Sequence, residues 1–259
     1  FGSPETLMDR KLTDMEGDHR TIVDLLTDQV EFANVIILNK ADLVTKQELS
    51  FLKRTLNKLN PSAKLIKSTF SKINPKEILN TGLFDFEEAE QNAGWIEELN
   101  KEEHTPETEE YGISSFVYRT KKPFDPIRFW EFLQQGFPTS VIRSKGLFWL
   151  ASRPNQALIW GQAGGSLKAD SAGVWWSSMP FQSRIQQIPF LENQQQIESD
   201  WDIDFGDRKN EIVFIGQNMN ETIIRSLLDR CLSTDKELET KQWEKGYKDN
   251  WPVEMVYPT

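Results

Sequence analysis

Cysteine and histidine are almost missing from this sequence. Cys231 is the single cysteine among 259 residues. That excludes an internal disulfide framework and fits a reducing compartment, expected to be the cytoplasm. His19 and His104 are the two histidines, too few for a histidine-built metal site. No apolar run approaches membrane-spanning length, and no charged-then-apolar leader opens the chain, so no membrane segment is expected. Positive charge is outweighed, with 30 Lys and Arg against 40 Asp and Glu and a formal net charge of -10. Such a balance favours solubility and argues against nucleic acid as a partner. A phosphate-cradling G-x-x-x-x-G-K-[ST] loop is also missing. The nearest glycine-rich stretch, Gly161 to Lys168, has the wrong spacing and lies among strand signals, where a β-turn explains it.

The length suffices for one large or two ordinary domains. Thr21 to Val30 places Ile22, Leu25, Leu26 and Val30 at helical spacing. Asn34 to Leu38 then reads as a short buried strand, apolar and β-branched. Thr45 with Glu48 three residues on is a capping box for a second helix, striped by Leu49, Leu52, Leu56 and Leu59 and ended by Asn60-Pro61. Ala63 to Ile66 reads as the next strand, and Asn74-Pro75 opens a short helix that closes at Gly82. Strand and helix alternate, which implies parallel βαβ units.

Acidic residues crowd Asp85 to Glu110, which reads as a linker and domain boundary. His104 beside Glu102 and Glu103 gives this stretch a weak metal-holding alternative to a solvated linker. Ile113 to Arg119 reads as a strand. Asp125-Pro126 opens a helix with Ile127, Trp130, Leu133 and Phe137 on one face, ending near Gly136. Further strands are expected at Ser140–Arg143, Leu147–Ala151, Ala157–Gly161, Gly173–Trp176 and Glu211–Gly216, with a helix capped by Asn220. Closely spaced strands with turns imply an antiparallel sheet. Gln182 to Asp204 carries no clear signal. Trp149, Trp160 and Trp175 suit packing better than an aromatic binding surface. The expected division is 1–84, 85–110 and 111–259.

The chemistry sits in Asn39-Lys40-Ala41-Asp42. This polar tetrad follows the Asn34–Leu38 strand, at the carboxyl end where open α/β sheets bind ligands. An N-K-x-D loop suits guanine. Asp42 can accept from the ring N1–H and the exocyclic amine, a donor pair that adenine lacks. Asn39 can bridge loop and base, and the Lys40 stem can lie over the purine face. Ser68 and Thr69, at the end of the next strand, are candidate secondary contacts. No catalytic residue and no metal ligand is assigned.

The run Asp24 to Val44, which holds the tetrad, resembles the guanine-recognition segment of the CobW-like P-loop GTPases. Ser115 to Arg119, Pro123-Phe124-Asp125-Pro126 and Arg143-Ser144-Lys145-Gly146-Leu147-Phe148-Trp149-Leu150-Ala151 resemble the CobW C-terminal domain. The likeness is greatest to the bacterial members linked to zinc homeostasis. It implies part of a P-loop GTPase parallel sheet (α/β), followed by an α+β domain with an antiparallel sheet. It also implies GTP or GDP with Mg²⁺ in the parent protein, zinc handling, and a client protein that receives the metal. A homo-oligomer is allowed. The family's Walker A loop, Cys-x-Cys-Cys motif and Glu-rich switch are not in the sequence, and Asp125 stands where the family's His is expected. The expectation is therefore a piece of a GTPase metal chaperone that lacks the phosphate chemistry. The alternative is a non-catalytic protein–protein interaction module formed by the C-terminal domain.

Overall fold

The computed structural model describes residues 22–83 and 112–239 and positions 99, 249 and 251. Apart from Leu99, the expected acidic linker lies outside the described residues, as do His19 and His104. The first part contains helix α1 (Ile22–Glu31), strand β1 (Val35–Leu38), helix α2 (Lys46–Leu59) and strand β2 (Lys64–Lys67). The two strands pair in parallel, Val35 opposite Lys64 through Leu38 opposite Lys67. Helix α2 starts where its capping box dictates. The Thr45 side chain accepts from the Glu48 N–H, and the Glu48 carboxylate accepts from the Thr45 N–H at 2.7 Å. The Thr45 N–H and the Thr45 hydroxyl, both donating to it, hold the Glu48 carboxyl below its usual range.

Three expectations change in this part. Strand β1 is half-buried rather than buried, with Ile37 41% exposed. Its apolar run suits a strand covered on both faces, whereas the described sheet here has two strands. Leu52 of the predicted stripe is exposed, while Thr55 and Leu59 are buried. The short helix after Asn74 is a single 3-10 turn, Pro75–Glu77, that stops well before Gly82.

The second part is built on five strands: β3 (Ile113–Thr120), β4 (Val141–Phe148), β5 (Gln156–Ala163), β6 (Ser166–Val174) and β7 (Asn210–Gln217). Their order is β3-β7-β4-β5-β6, and every pairing is antiparallel. Helix α3 (Pro126–Gln135) lies between β3 and β4 in sequence. Helices α4 (Phe181–Arg184) and α5 (Ile188–Ser199) fill the stretch that had no sequence signal. Helices α6 (Glu221–Asp229) and α7 (Asp235–Glu239) follow β7. The two strands expected between Ser140 and Ala151 are one strand. It runs through Gly146, where an added Cβ would stand 1.9 Å from the Glu211 carbonyl, so glycine lets β4 and β7 approach closely. The glycine-rich stretch is the turn joining β5 to β6.

Alternation along the strands divides the core into two faces. Phe116, Tyr118, Ile212 and Phe214 join Phe148, Leu158 and Trp160 on one face, beneath Phe129, Phe132 and Leu133 of α3 and Ile224 and Leu228 of α6. Phe129 stacks on Phe124 with ring centres 4.0 Å apart, and on Trp251 at 5.5 Å. The buried side of α3 therefore differs from the predicted one, because Ile127 is exposed and Phe129 is not. Asp125 caps the helix, accepting from the Ile127 and Arg128 N–H groups. Trp149, Trp160 and Trp175 are buried, so these rings serve packing. Val117, Val213 and Ile215 face the other way and pack with Leu59, Val30 and Leu99. The first part thus rests on the back of the antiparallel sheet.

Candidate functional site

Two loops meet at the carboxyl end of the parallel strand pair. Residues 39–45 follow β1, and residues 68–72 follow β2. The strand ladder extends into them: the Ser68 N–H donates to the Leu38 carbonyl at 2.9 Å, and the Ala41 N–H donates to the Ser68 carbonyl at 3.1 Å. Asn39 adds a two-point link. Its Nδ2 donates to Ser71 Oγ at 2.9 Å, and its Oδ1 accepts from the Ser71 N–H at 3.0 Å. The Asn39 side chain is thereby fixed by the neighbouring loop.

Of the rest of the tetrad, Lys40 and Asp42 point outward and Ala41 inward. Lys40 has φ of 57° and is exposed, while Ala41 beside it is buried. The positive φ turns the chain sharply, so Ala41 anchors the loop and Lys40 and Asp42 face solvent. Asp42 is exposed, and its carboxylate makes no hydrogen bond among the described residues. An exposed carboxylate on a loop held at both sides is a pre-set acceptor for a pair of N–H donors. Ser68 is buried, and its hydroxyl donates to the Lys72 carbonyl at 3.4 Å. Thr69 is half-buried, and its carbonyl accepts from the Lys72 N–H.

Sequence reasoning passed over two residues that shape this site. Ser71 stands two residues beyond Thr69, but only the fold shows that it faces Asn39. Asn60, buried at the end of α2, donates to the Val30 and Ala33 carbonyls at 2.8 and 2.9 Å and accepts from the Ala63 N–H. One side chain thus ties the entry of β1 to the entry of β2. The sequence showed it only as a helix stop.

Glu31, the last residue of α1, connects this region to the antiparallel sheet. Its carboxylate takes Arg143 Nε at 2.6 Å and Nη2 at 3.0 Å, in full burial. Lys145 approaches to 3.9 Å, and burial pushes its ammonium pKa down. Ser144, beside Arg143, accepts from Trp160 Nε1 at 2.8 Å and donates to Gln162. The Arg-Ser-Lys-Gly run therefore works as a structural joint. Among the described residues no group of three or more His, Cys, Asp or Glu is placed to hold a metal ion. No helix among them is long and apolar enough to cross a membrane.

A parallel strand pair carrying an N-K-x-D loop, followed by this five-stranded sheet, defines the class. The chain combines a CobW-type nucleotide-binding segment with a CobW C-terminal domain. Residues 6–67 match the family described as "CobW/HypB/UreG, nucleotide-binding domain", and residues 113–232 match "Cobalamin synthesis protein cobW C-terminal domain". Among individual proteins, the chain is 42% identical over 241 residues to zinc-regulated GTPase metalloprotein activator 1 of Dictyostelium discoideum, covering 92% of this chain and 50% of that protein. It is 23% identical over 237 residues to the zinc chaperone Rv0106 of Mycobacterium tuberculosis, covering 90% and 54%. The chain spans about half the length of the curated relatives it matches. The expected likeness to bacterial members is thus present at lower identity than the likeness to the Dictyostelium protein. The Zn(II)-bound YjiA GTPase from Escherichia coli aligns over 81% of this chain and 55% of that structure, with 19% identity and a TM-score of 0.36.

Proposed function

We propose that residues 39–42 read guanine in a GTP-dependent zinc-handling protein, and that Asp42 makes the selection. The observation that carries this is the tied loop. Asn39 is fixed by Ser71 while the Asp42 carboxylate stays exposed. A site pre-set to accept from two donors rejects a purine that lacks them, because its own acceptor is left unpaired. Relatives named as a GTPase metalloprotein activator and as a zinc chaperone support the wider role. Ser68 and Thr69 act as secondary supports of the base pocket, Ser68 through its backbone link to Ala41.

The residues fit the base but not the phosphates. These 259 residues contain no phosphate loop, so the reading assigns them guanine selection and not hydrolysis. Bound Mg²⁺ would neutralise phosphate charge wherever the phosphates are held. Zinc enters as cargo, and no described residue is assigned to it. The C-terminal domain is proposed as the docking part for the protein that receives the metal, and the cytoplasm as the compartment. There Cys231 stays a buried free thiol, its pKa pushed up to about 11 by burial.

Calorimetric titration of the natural protein with GDP and ADP tests the reading. Wild type is expected to prefer GDP, and Asp42→Asn to lose most of that preference. Equal binding of the two nucleotides by wild type, or an unchanged preference in Asp42→Asn, overturns it.

A further inference from the structure

One side chain in the second loop has no part in the guanine reading so far. Phe70 is 80% exposed and has φ of 52°. A large aromatic ring in water, on a left-handed backbone that bulky residues rarely adopt, is doubly unfavourable locally. Packing within the described chain does not account for it. The position of Phe70 does suggest a use. The chain is tied down on both sides of it, at Ser68 by the Ala41 N–H and at Ser71 by the two bonds to Asn39. Phe70 therefore belongs to the same fixed rim as Lys40 and Asp42.

Hydrogen bonds to the edge of a purine leave its two faces open. The Lys40 stem can cover one of them. We propose that Phe70 is the aromatic wall of the nucleotide site and stacks on the purine ring. This rests on the guanine reading of the tetrad and deepens it. Every base has a π face, so stacking adds affinity without choosing among bases. Phe70 supplies binding strength and Asp42 supplies selection.

The two roles separate in one experiment on the natural protein. GDP and ADP are titrated calorimetrically into wild type, Phe70→Ala, Phe70→Leu, Phe70→Trp and Asp42→Asn, with melting curves run alongside. Phe70→Ala is expected to weaken GDP binding about tenfold. Phe70→Leu should lose as much, Phe70→Trp should keep wild-type affinity, and the preference for GDP should survive in all three. Because the ring is exposed, the melting temperature should not move. GDP affinity within about twofold of wild type in Phe70→Ala, or full rescue by leucine, overturns the stacking role. If Asp42→Asn leaves the GDP preference intact, it is the guanine reading that fails.

Discussion

The two described regions are held together by different means. In residues 112–239 a continuous aromatic core lies between the sheet and two helices, with Phe116, Phe124, Phe129, Phe148 and Phe214 all fully buried. In residues 22–83 the buried apolar side chains are Val23, Ala41, Leu59 and Ala63, against buried Thr27, Glu31, Thr55, Asn60 and Ser68. Leu26 and Ile37 are exposed, and an apolar hollow of ≈ 490 Å³ opens among Val30, Val35, Ile36 and Leu56. Packing dominates the second region, and polar links dominate the first. The loops after β1 and β2 thus sit on a region whose firm support comes from the neighbouring sheet, through Leu59, Val30 and the Glu31–Arg143 pair.

This contrast predicts an order of effects. Phe129→Ala should be the most damaging, at about 3–5 kcal/mol, because it empties a site touched by five other aromatic rings in a core that cannot collapse freely. Denaturant unfolding measures it. A loss below about 1 kcal/mol, under the usual range for such a truncation, would show that the second region is not packing-dominated.

Arg143→Met comes next. It leaves the Glu31 carboxylate buried without its main partner, at a cost of about 3 kcal/mol. The double variant Glu31→Leu with Arg143→Met should recover much of that loss, since an apolar pair replaces a desolvated ionic one. A double-mutant cycle reads the coupling. If the two losses simply add, the pair does not join the regions.

Asn60→Ala should cost least, about 2 kcal/mol, by leaving the Val30 and Ala33 carbonyls without this donor. Its effect should be local. Hydrogen exchange should quicken at residues 34–42 while β3 and β7 keep their protection. Equal acceleration in both regions would mean that the first does not open on its own.

Much of the fold was legible because local chemistry specifies it. The Thr45 and Glu48 box, the Asp125 and Asn220 caps and the turn at Gly164-Gly165 act over a few residues, and each is present. Parallel pairing of β1 and β2 followed from strand–helix alternation. Misreadings arose where distant groups decide. The break expected near Gly146 vanished because that glycine lets two strands approach. The buried side of α3 turned out to be the Phe129 side, because the sheet and Trp251 lie there. Helices α4 and α5 carry little periodic signal, and the sequence alone did not suggest them.

The candidate site divides in the same way. Asn39, Lys40 and Asp42 were readable as candidates from residue type and spacing, since a carboxylate is a strong acceptor for paired N–H donors and its place after a strand is a local fact. The sequence by itself thus determined which side chains the proposed guanine site is equipped with. The tertiary structure decided how the equipment is held: Asn39 on Ser71, Asn60 across two strand entries, Glu31 on Arg143, Phe70 on the shared rim. These pairs are 32, about 30, and 112 positions apart in the chain for Asn39, Asn60 and Glu31. Hydrogen-bond geometry between such distant residues exists only once the chain has packed.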